Sequence, residues 1–172
     1  MEDRAKKQFL AAYDSYADAL YRHCFFRVFS KARAEELVQE TFMRAWVYME
    51  AGNAVANTRA FLYRVANNLI IDHARKKKEE SLDALLEESD AYEPAYEGHK
   101  QIEKNILIGE VKEAMENLSD SDRGLLIKRY VDDLDPKEIA EILQTNANNV
   151  SVKIHRAIKT LKRYFHRETK EA

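Results

Sequence analysis

Apolar residues recur every three to four positions through most of the chain, which is the spacing of one face of an α-helix. No stretch keeps the strict apolar and polar alternation of a β-strand. The chain is therefore predicted to be all-α. The predicted helices cover residues 3–29, 34–49 and 58–78, two segments within 101–131 and two within 135–163.

The last two predicted helices have clear boundary signals. Asp135 is a good N-cap, Pro136 suits the first helical position and Glu138 completes a capping box. Asn146 is placed to cap the next helix after a short interruption of the pattern. The buried face of that helix is predicted to contain Val150, Ile154, Ala157, Ile158 and Leu161. Two helices joined by a tight turn describe a helix-turn-helix, with the second helix as the recognition helix.

The second of these helices is strongly basic. From Ala147 to Lys170 there are seven Lys or Arg residues and one acidic residue, Glu168. An ordinary helical hairpin with a solvated basic face is the alternative, but such a face normally mixes both signs of charge. The imbalance favours a surface that binds nucleic acid phosphates.

The helices predicted earlier in the chain also divide into buried and exposed faces. The core stripe of the first is predicted to contain Phe9, Tyr13, Tyr16, Leu20 and Cys24. The apolar face of the second contains Val38, Phe42, Ala45, Trp46 and Met49. The residues that lie away from this apolar face are Glu36, Gln39, Glu40 and Met43.

The helix over residues 58–78 leaves polar and aromatic groups outside its apolar face. Lysines at its C-terminal end suit the helix dipole, so a structural interpretation exists. Exposed Asn, Arg and aromatic groups also suit contacts with bases and stacking on unpaired bases. The groups are Arg59, Tyr63, Arg64, Asn67, Asn68, Arg75, Lys76, Lys77 and Lys78. The preceding loop, 50–58, has small polar residues that either line a pocket or are simply solvated.

The net charge of -2 hides an uneven distribution. Residues 1–78 carry a net charge of +5, residues 79–100 a net charge of -7, and residues 101–172 a net charge of 0. The acidic segment has too few apolar groups for a domain. We therefore predict two small helical domains, 1–78 and 105–172, joined by a flexible acidic linker at 79–104.

The remaining composition limits the classes of function. The one cysteine, Cys24, allows no internal disulfide, and we interpret it as a small buried hydrophobe. No apolar run of about 18 residues is present, and MEDRAKKQF lacks the apolar core of a signal peptide. A cytoplasmic protein without membrane insertion is expected. No nucleophile motif, phosphate loop or metal-ligand cluster is seen, so neither a cofactor nor an enzymatic activity is predicted.

Three stretches resemble a known family. AEELVQETFMRAW at 34–46 and FLYRVANNLIIDHARKKK at 61–78 resemble region 2 of the extracytoplasmic-function (ECF) sigma factors, which belong to the sigma-70 family of bacterial RNA polymerase. The run LSDSDRGLLIKRYVDDLDPKEIAEILQTNANNVSVKIHRAIKTLKRYF at 118–165 resembles their region 4. Together these stretches hold 79 of the 172 residues, in the family's order.

The resemblance implies a subunit that binds core RNA polymerase, directs it to specific promoters and helps to melt the -10 region. It implies that Glu36, Gln39 and Glu40 bind the coiled coil of the polymerase clamp. It further implies that an anti-sigma factor is a partner. Nucleotide chemistry would belong to the polymerase.

The resemblance also assigns two DNA-binding surfaces. The melted non-template strand of the -10 element would contact Phe61, Arg64, Asn68, Arg75, Lys76 and Lys77, and the 50–58 loop would hold a flipped base. The major groove of the duplex -35 element would contact Asn148, Asn149, Lys153, Arg156 and Lys159.

Three positions depart from the family pattern. Gln144 stands where the turn usually has Gly, so the backbone must take a less comfortable angle or another geometry. Ser151 stands where a basic residue is common, and Asn149 where Thr is common. The base preference at the -35 element is therefore open.

Two other functions compete with this one. A free-standing helix-turn-helix regulator would bind duplex DNA without polymerase and use residues 1–78 as a sensor or dimerisation domain. The Glu36, Gln39 and Glu40 surface would then serve only solvation. An enzyme could use only His73, His155 and scattered carboxylates.

Overall fold

The computed structural model describes residues 2–83 and 108–171, with side chains described over 5–76 and 108–165. All regular secondary structure in these residues is α-helical, which confirms the predicted all-α fold. The helices are α1 (Glu2–Val28), α2 (Lys31–Glu50), α3 (Thr58–Asp83), α4 (residues 108–116), α5 (Asp120–Tyr130), α6 (Pro136–Leu143) and α7 (Ala147–Glu171).

The described residues divide into two compact units. Helices α1, α2 and α3 lie in the first unit, and α4, α5 and α7 lie in the second. Residues 136–140 of α6 also belong to the second unit.

A connection of two residues joins α1 to α2 in the first unit. Phe29 has φ 50°, and its backbone N–H donates to the carbonyl of Phe25 at 2.6 Å. Ser30 is the N-cap of α2, and its hydroxyl oxygen accepts from the N–H of Arg33 at 3.4 Å. The chain therefore reverses within two residues, because a left-handed residue ends one helix and a capping serine starts the next.

The core of the first unit lies between all three of its helices. Leu20 and Cys24 from α1 and Leu62 and Ala66 from α3 are completely buried. The interpretation of Cys24 as a small buried hydrophobe is confirmed. Leu20 is likewise confirmed as a core residue, because α1 packs against α2 and α3 along this face.

The burial of two tyrosines differs from the prediction. Tyr63 was expected to be exposed, but it is 1% exposed, and its ring meets that of His23 edge-on at 5.2 Å. Since α3 packs against both α1 and α2, its buried face is wider than a stripe facing one neighbour. Tyr13 was placed in the core, but it is 49% exposed, with its ring 4.8 Å from that of Phe42.

Helix α3 also runs beyond its predicted end at residue 78 and stops at Asp83. The start of the predicted linker is thus helical, because Glu79 and Glu80 are good helix formers and no Gly or Pro follows at once. Residues 84–107, which include the rest of the linker, lie outside the described residues. The boundaries 1–78, 79–104 and 105–172 therefore stay predictions.

In the second unit, α5 packs against α7, and the loop after α5 adds an apolar group to the core. Ser119 caps α5, and its hydroxyl oxygen accepts from the N–H of Asp122 at 3.1 Å. The completely or almost completely buried apolar residues include Leu125, Ile127, Leu134, Ile139, Val150 and Ala157.

The predicted capping box of α6 is confirmed. Asp135 Oδ1 accepts from the N–H of Lys137 at 2.8 Å and of Glu138 at 2.9 Å. Glu138 Oε2 accepts in return from the N–H of Asp135 at 2.8 Å. The hydrogen bond from the Glu138 N–H is the main reason why the pKa of Asp135 is lowered, with a further contribution from Lys137. The carboxylate form of Asp135 is therefore the capping form.

The turn between α6 and α7 takes the strained form that the sequence suggested. Gln144 has φ 53°, in the left-handed region that glycine adopts most easily. The N–H of Thr145 donates to the carbonyl of Ala140 at 2.9 Å, which closes α6 with a Schellman-type hydrogen bond. Asn146 then starts α7, and its Oδ1 accepts from the N–H of Asn149 at 2.8 Å. The helix-turn-helix geometry is therefore kept without a glycine.

Candidate functional site

One exposed stripe of α2 carries the predicted polymerase-binding residues. Glu36 and Gln39 are exposed, and the Glu40 side chain is 40% exposed. Arg33 Nη1 lies 2.8 Å from Glu36 Oε2, and Arg44 Nε lies 2.7 Å from Glu40 Oε1. Ion pairs with this much solvent exposure contribute about 0–1 kcal/mol, so a binding partner could replace them at little cost.

The same stripe continues with two large apolar side chains. Met43 is 59% exposed and Val47 is 60% exposed. They follow Glu36 and Glu40 at helical spacing, so all four lie on one side of α2. The sequence had placed Met43 away from the core, but it gave Val47 no role. The signal available in the sequence was a large apolar residue four positions after Met43.

A second stripe runs along α3. Phe61, Arg64, Asn68 and Arg75 follow one another at spacings of three, four and seven residues, which keeps them on one face of the helix. Asn68, Arg75 and the adjacent Lys76 are exposed, and Arg64 and Phe61 are partly exposed. The side chain of Lys77 lies outside the residues whose side chains are described.

Ion pairing along this stripe is loose. Arg75 Nη2 lies 3.5 Å from Asp72 Oδ1, and the two side chains are 67% and 49% exposed. The guanidinium group is therefore accessible for a phosphate, since an exposed pair of this kind is weak. The stripe presents an aromatic ring, an amide and guanidinium groups, which are the groups that bind single-stranded nucleic acid.

The loop between α2 and α3 borders a groove of about 990 Å³ in the first unit. The groove is lined by Ala5, Lys7, Gln8, Met49, Glu50, Ala51, Gly52, Asn53, Ala54 and Val55. The loop therefore lies at the edge of an open surface groove. Both interpretations of the loop, a pocket border and a solvated connection, stay predictions.

Hydrogen bonds fix the shape of this loop. Gly52 has φ 83°, which a residue with a side chain rarely adopts. Asn53 Nδ2 donates to the carbonyl of Tyr48 at 3.0 Å, and Asn57 Oδ1 accepts from the N–H of Ala60 at 3.0 Å. Gln8 Nε2 donates weakly to the carbonyl of Val55 at 3.4 Å, which ties the loop to α1.

An aromatic pair that the sequence did not reveal stands beside this loop. The rings of Tyr48 and Phe61 have centroids 5.0 Å apart and planes tilted by 35°. Tyr48 is 42% exposed. Their proximity depends on the packing of α2 against α3, so no local spacing in the sequence could have shown it.

In the second unit, α7 separates its buried and exposed residues cleanly. Val150, Ile154 and Ala157 are buried, as predicted. Ile158 and Leu161, predicted on the same face, are only partly buried. The predicted DNA-binding residues are all exposed, and they are Asn148, Asn149, Lys153, Arg156 and Lys159.

The hydroxyl of Ser151 is turned toward its own helix. Ser151 Oγ donates to the carbonyl of Ala147 at 2.9 Å. The position where a basic residue is common thus offers little to a ligand in this chain. The exposed polar face depends instead on the asparagines before Ser151 and the cations after it.

Within the described residues, no group of three or more His, Cys, Asp and Glu side chains is arranged to hold a metal ion. Among the same residues, no helix combines the length and the apolar content that a membrane span requires.

The two units match two adjacent parts of one family of proteins. Residues 12–80 match the model of sigma-70 region 2, and residues 108–161 match the model of sigma-70 region 4. The ECF RNA polymerase sigma factor SigM of Bacillus subtilis is 31% identical over 161 residues, which cover 90% of this chain and 93% of SigM. The chain belongs to the ECF RNA polymerase sigma factors.

Further relatives of this ECF sigma factor agree over both units. SigW of Bacillus subtilis, also an ECF RNA polymerase sigma factor, is 29% identical over 161 residues, covering 87% of this chain and 84% of SigW. The fold is that of the sigma factor RpoE of Bartonella quintana, solved in complex with the anti-sigma factor NepR. That structure has a TM-score of 0.70, is 24% identical, and covers 96% of this chain and 98% of its own.

The comparisons decide between the functions that the sequence left open. A free-standing regulator is not favoured, because the similarity to sigma factors spans both units and not the helix-turn-helix alone. The α2 and α3 stripes lie within the region 2 match, and the exposed face of α7 within the region 4 match.

Proposed function

We propose that this ECF sigma factor binds core RNA polymerase through the exposed stripe of α2. The observation that supports this most strongly is the continuity of Glu36, Gln39 and Glu40 with Met43 and Val47 on one side of the helix. An acidic and amide surface next to exposed apolar side chains suits a protein interface, in which an apolar centre is surrounded by polar contacts.

We propose further that α3 and the loop before it bind the melted non-template strand of the -10 element. The exposed Asn68 and the cations near the end of α3 suit a backbone track, and Phe61 with Tyr48 offers ring surface for stacking. The groove beside Gly52 has room for a base turned out of the strand. In this assignment the energy of unstacking is offset by binding of the freed base.

The exposed face of α7 is proposed to enter the major groove of the duplex -35 element. Lys153, Arg156 and Lys159 provide phosphate contacts, and Asn148 and Asn149 provide groups that can bond to base edges. The protein itself performs no catalysis in this proposal and acts in the cytoplasm, where it supplies promoter recognition to the polymerase.

Regulation by an anti-sigma factor is part of the same proposal. RpoE of Bartonella quintana was solved with such a partner, and its fold is the fold of this chain. In the first unit, Leu10, Tyr13, Met43 and Val47 are exposed apolar side chains that a partner protein could cover. Such a partner would compete with core polymerase for the α2 stripe, which a competition assay with labelled sigma factor measures.

The decisive experiment is run-off transcription from a promoter library with bacterial core polymerase, with and without this protein. We expect new transcripts that start downstream of a shared two-part motif. Glu40→Ala should abolish most of them, whereas Asp18→Ala, which removes an exposed acidic residue of α1, should not. Asn68→Ala should reduce transcription without preventing the protein from binding core polymerase.

Two results would contradict the proposal. One is the absence of new start sites together with tight binding of duplex DNA by the protein alone, which is the behaviour of a free-standing regulator. The other is an equal loss of transcription in Glu40→Ala and Asp18→Ala, which would remove the α2 stripe from the interface.

A further inference from the structure

The centre of the exposed face of α7 is occupied by an apolar side chain. Val150, Ile154 and Ala157 fix the buried direction of the helix. At 100° per residue, Val152 points almost directly away from that direction. Val152 is 42% exposed, whereas Val150 and Ile154, two residues before and after it, are buried.

The surroundings of Val152 are polar and cationic. Asn148 lies one turn before it and Arg156 one turn after it, and both are exposed. Asn149 and Lys153 flank it on one side, and both are exposed as well. Ser151 lies on the other side, and its hydroxyl donates to the carbonyl of Ala147 at 2.9 Å.

A single exposed valine is common on protein surfaces and needs no explanation by itself. Its position gives it significance here. It stands one turn after the helix start, where the residues of a recognition helix meet base edges, and it lies between two groups suited to hydrogen bonds with bases. A side chain at this position either contacts a base or prevents a base from approaching the helix.

We propose that Val152 recognises the C5-methyl group of a thymine in the -35 element, and this rests on the proposed function of α7. In the major groove, thymine is the base that presents a methyl group, whereas the other three present polar edges. An isopropyl group has no donor or acceptor, so it would leave a cytosine amino group or a guanine oxygen desolvated and unpaired. Val152 therefore favours thymine and disfavours cytosine at one position.

The expected effect follows from the size of the contact. Burying one methyl group of the base against the isopropyl group corresponds to about a fourfold change in affinity at 25 °C. Rejection of cytosine should be larger, about tenfold or more, because an unpaired polar group is added to the lost contact.

The test uses holoenzyme assembled from the full chain and core polymerase. A promoter selected by that holoenzyme is prepared with each thymine of its -35 element replaced, one at a time, by deoxyuridine. Competition binding should show one replacement that weakens the wild-type protein about fourfold. In Val152→Ala, the same replacement should have a clearly smaller effect, since the side chain has lost the two methyl groups that reach furthest toward the base.

Two controls separate this contact from general loss of binding. Val152→Thr keeps the branched shape and replaces one methyl with a hydroxyl, so it should reduce the preference for thymine over deoxyuridine. Lys159→Ala, which removes a proposed phosphate contact, should weaken binding to all sequences and leave that preference unchanged. Cytosine replaced by 5-methylcytosine at the same position should regain part of the lost affinity.

The outcomes distinguish the two proposals. If holoenzyme selects no -35 motif at all, the proposed role of α7 fails, and the role of Val152 fails with it. If a motif is selected but every deoxyuridine replacement affects wild type and Val152→Ala equally, the role of Val152 alone is overturned. A selected -35 motif without thymine would overturn it in the same way.

Discussion

Gln144 ends α6 with φ 53°, a conformation that costs a residue with a side chain about 1–2 kcal/mol. A glycine would remove that cost, but its greater conformational entropy in the unfolded chain would lower the free energy of unfolding by about 0.4–1 kcal/mol. We therefore expect Gln144→Gly to stabilise the second unit by about 0.5–1 kcal/mol. Hydrogen exchange of the α7 amides measures this. The fluorescence of Trp46, the one tryptophan, would report the first unit instead.

The control for this prediction is Gln144→Ala, which keeps the Cβ and should give no gain. An intermediate result is expected for Gln144→Asn, because asparagine tolerates the left-handed region better than glutamine does. A glycine variant no more stable than the alanine variant would show that the turn stores no strain.

The capping carboxylate of Asp135 should make the second unit sensitive to acid. Its pKa is lowered in the folded protein, so the charged form stabilises the fold above the ordinary value of 3.8. That contribution is lost as the pH falls through the lowered, folded-state pKa. The cap in Asp135→Asn does not titrate. The stability difference between the two proteins should therefore be present at pH 7, shrink as the pH falls below 3.8, and disappear once the pH is below the folded-state pKa of Asp135.

Denaturant unfolding of both proteins across this pH range tests the prediction. Glu116→Gln serves as a control, because Glu116 is an exposed carboxylate in the last turn of α4, away from any helix N-cap. If the stability difference between wild type and Asp135→Asn persists in strong acid, the stabilising effect of the cap comes from the hydrogen-bonding geometry of the side chain and not from its charge.

At the scale of whole elements, the helices that the sequence predicted best are those with local signals. The caps Ser119, Asp135 and Asn146 bond to N–H groups within three residues, so their partners could be read from spacing alone. The position of Tyr63 could not, because its burial depends on α1 and α2 packing on two sides of α3. The pairing of Tyr48 with Phe61 depends on the same packing.

The α2 stripe supports a prediction about assembly with polymerase. Met43→Ala and Val47→Ala should each weaken binding to core polymerase about tenfold, because each removes apolar surface that the interface would bury. Neither should lower the stability of the free protein, since both side chains are mostly exposed. Fluorescence anisotropy with labelled sigma factor gives the affinity, and thermal unfolding gives the stability.

Tyr130→Ala is the matched control for these two variants. Tyr130 is 63% exposed and lies in the second unit, outside the proposed interface. Equal losses of affinity in all three variants would point to a general effect of removing surface apolar groups. Unchanged affinity in both α2 variants would limit the interface to Glu36, Gln39 and Glu40.

At the scale of the molecule, charge is separated along the chain. The segment 79–100 carries a net charge of -7, residues 1–78 before it carry +5 and residues 101–172 after it carry 0. The negative charges of this segment repel DNA phosphates. Replacing Glu87, Glu88, Asp90 and Glu93 with their amides should strengthen non-specific binding of the free protein to duplex DNA. The gain should be several-fold at 50 mM salt and largely absent at 1 M salt, where the Debye length is about 3 Å.

Filter binding at several salt concentrations measures this effect. A gain that does not depend on salt would contradict an electrostatic origin.

The sequence predicted the two helical units from periodicity and the acidic segment from composition, because both signals are local. It could not assign which exposed groups contact polymerase or DNA, since exposure alone does not identify a partner.

The burial of Cys24 also makes its thiol a probe of how often the first unit opens. Its thiol is inaccessible to reagents in the native fold, so alkylation can proceed only when the three helices separate. The rate of alkylation therefore measures how often this unit opens. It also leaves a newly introduced surface cysteine as the group that reacts first, so the native chain can carry a site-specific dye without removal of its own cysteine.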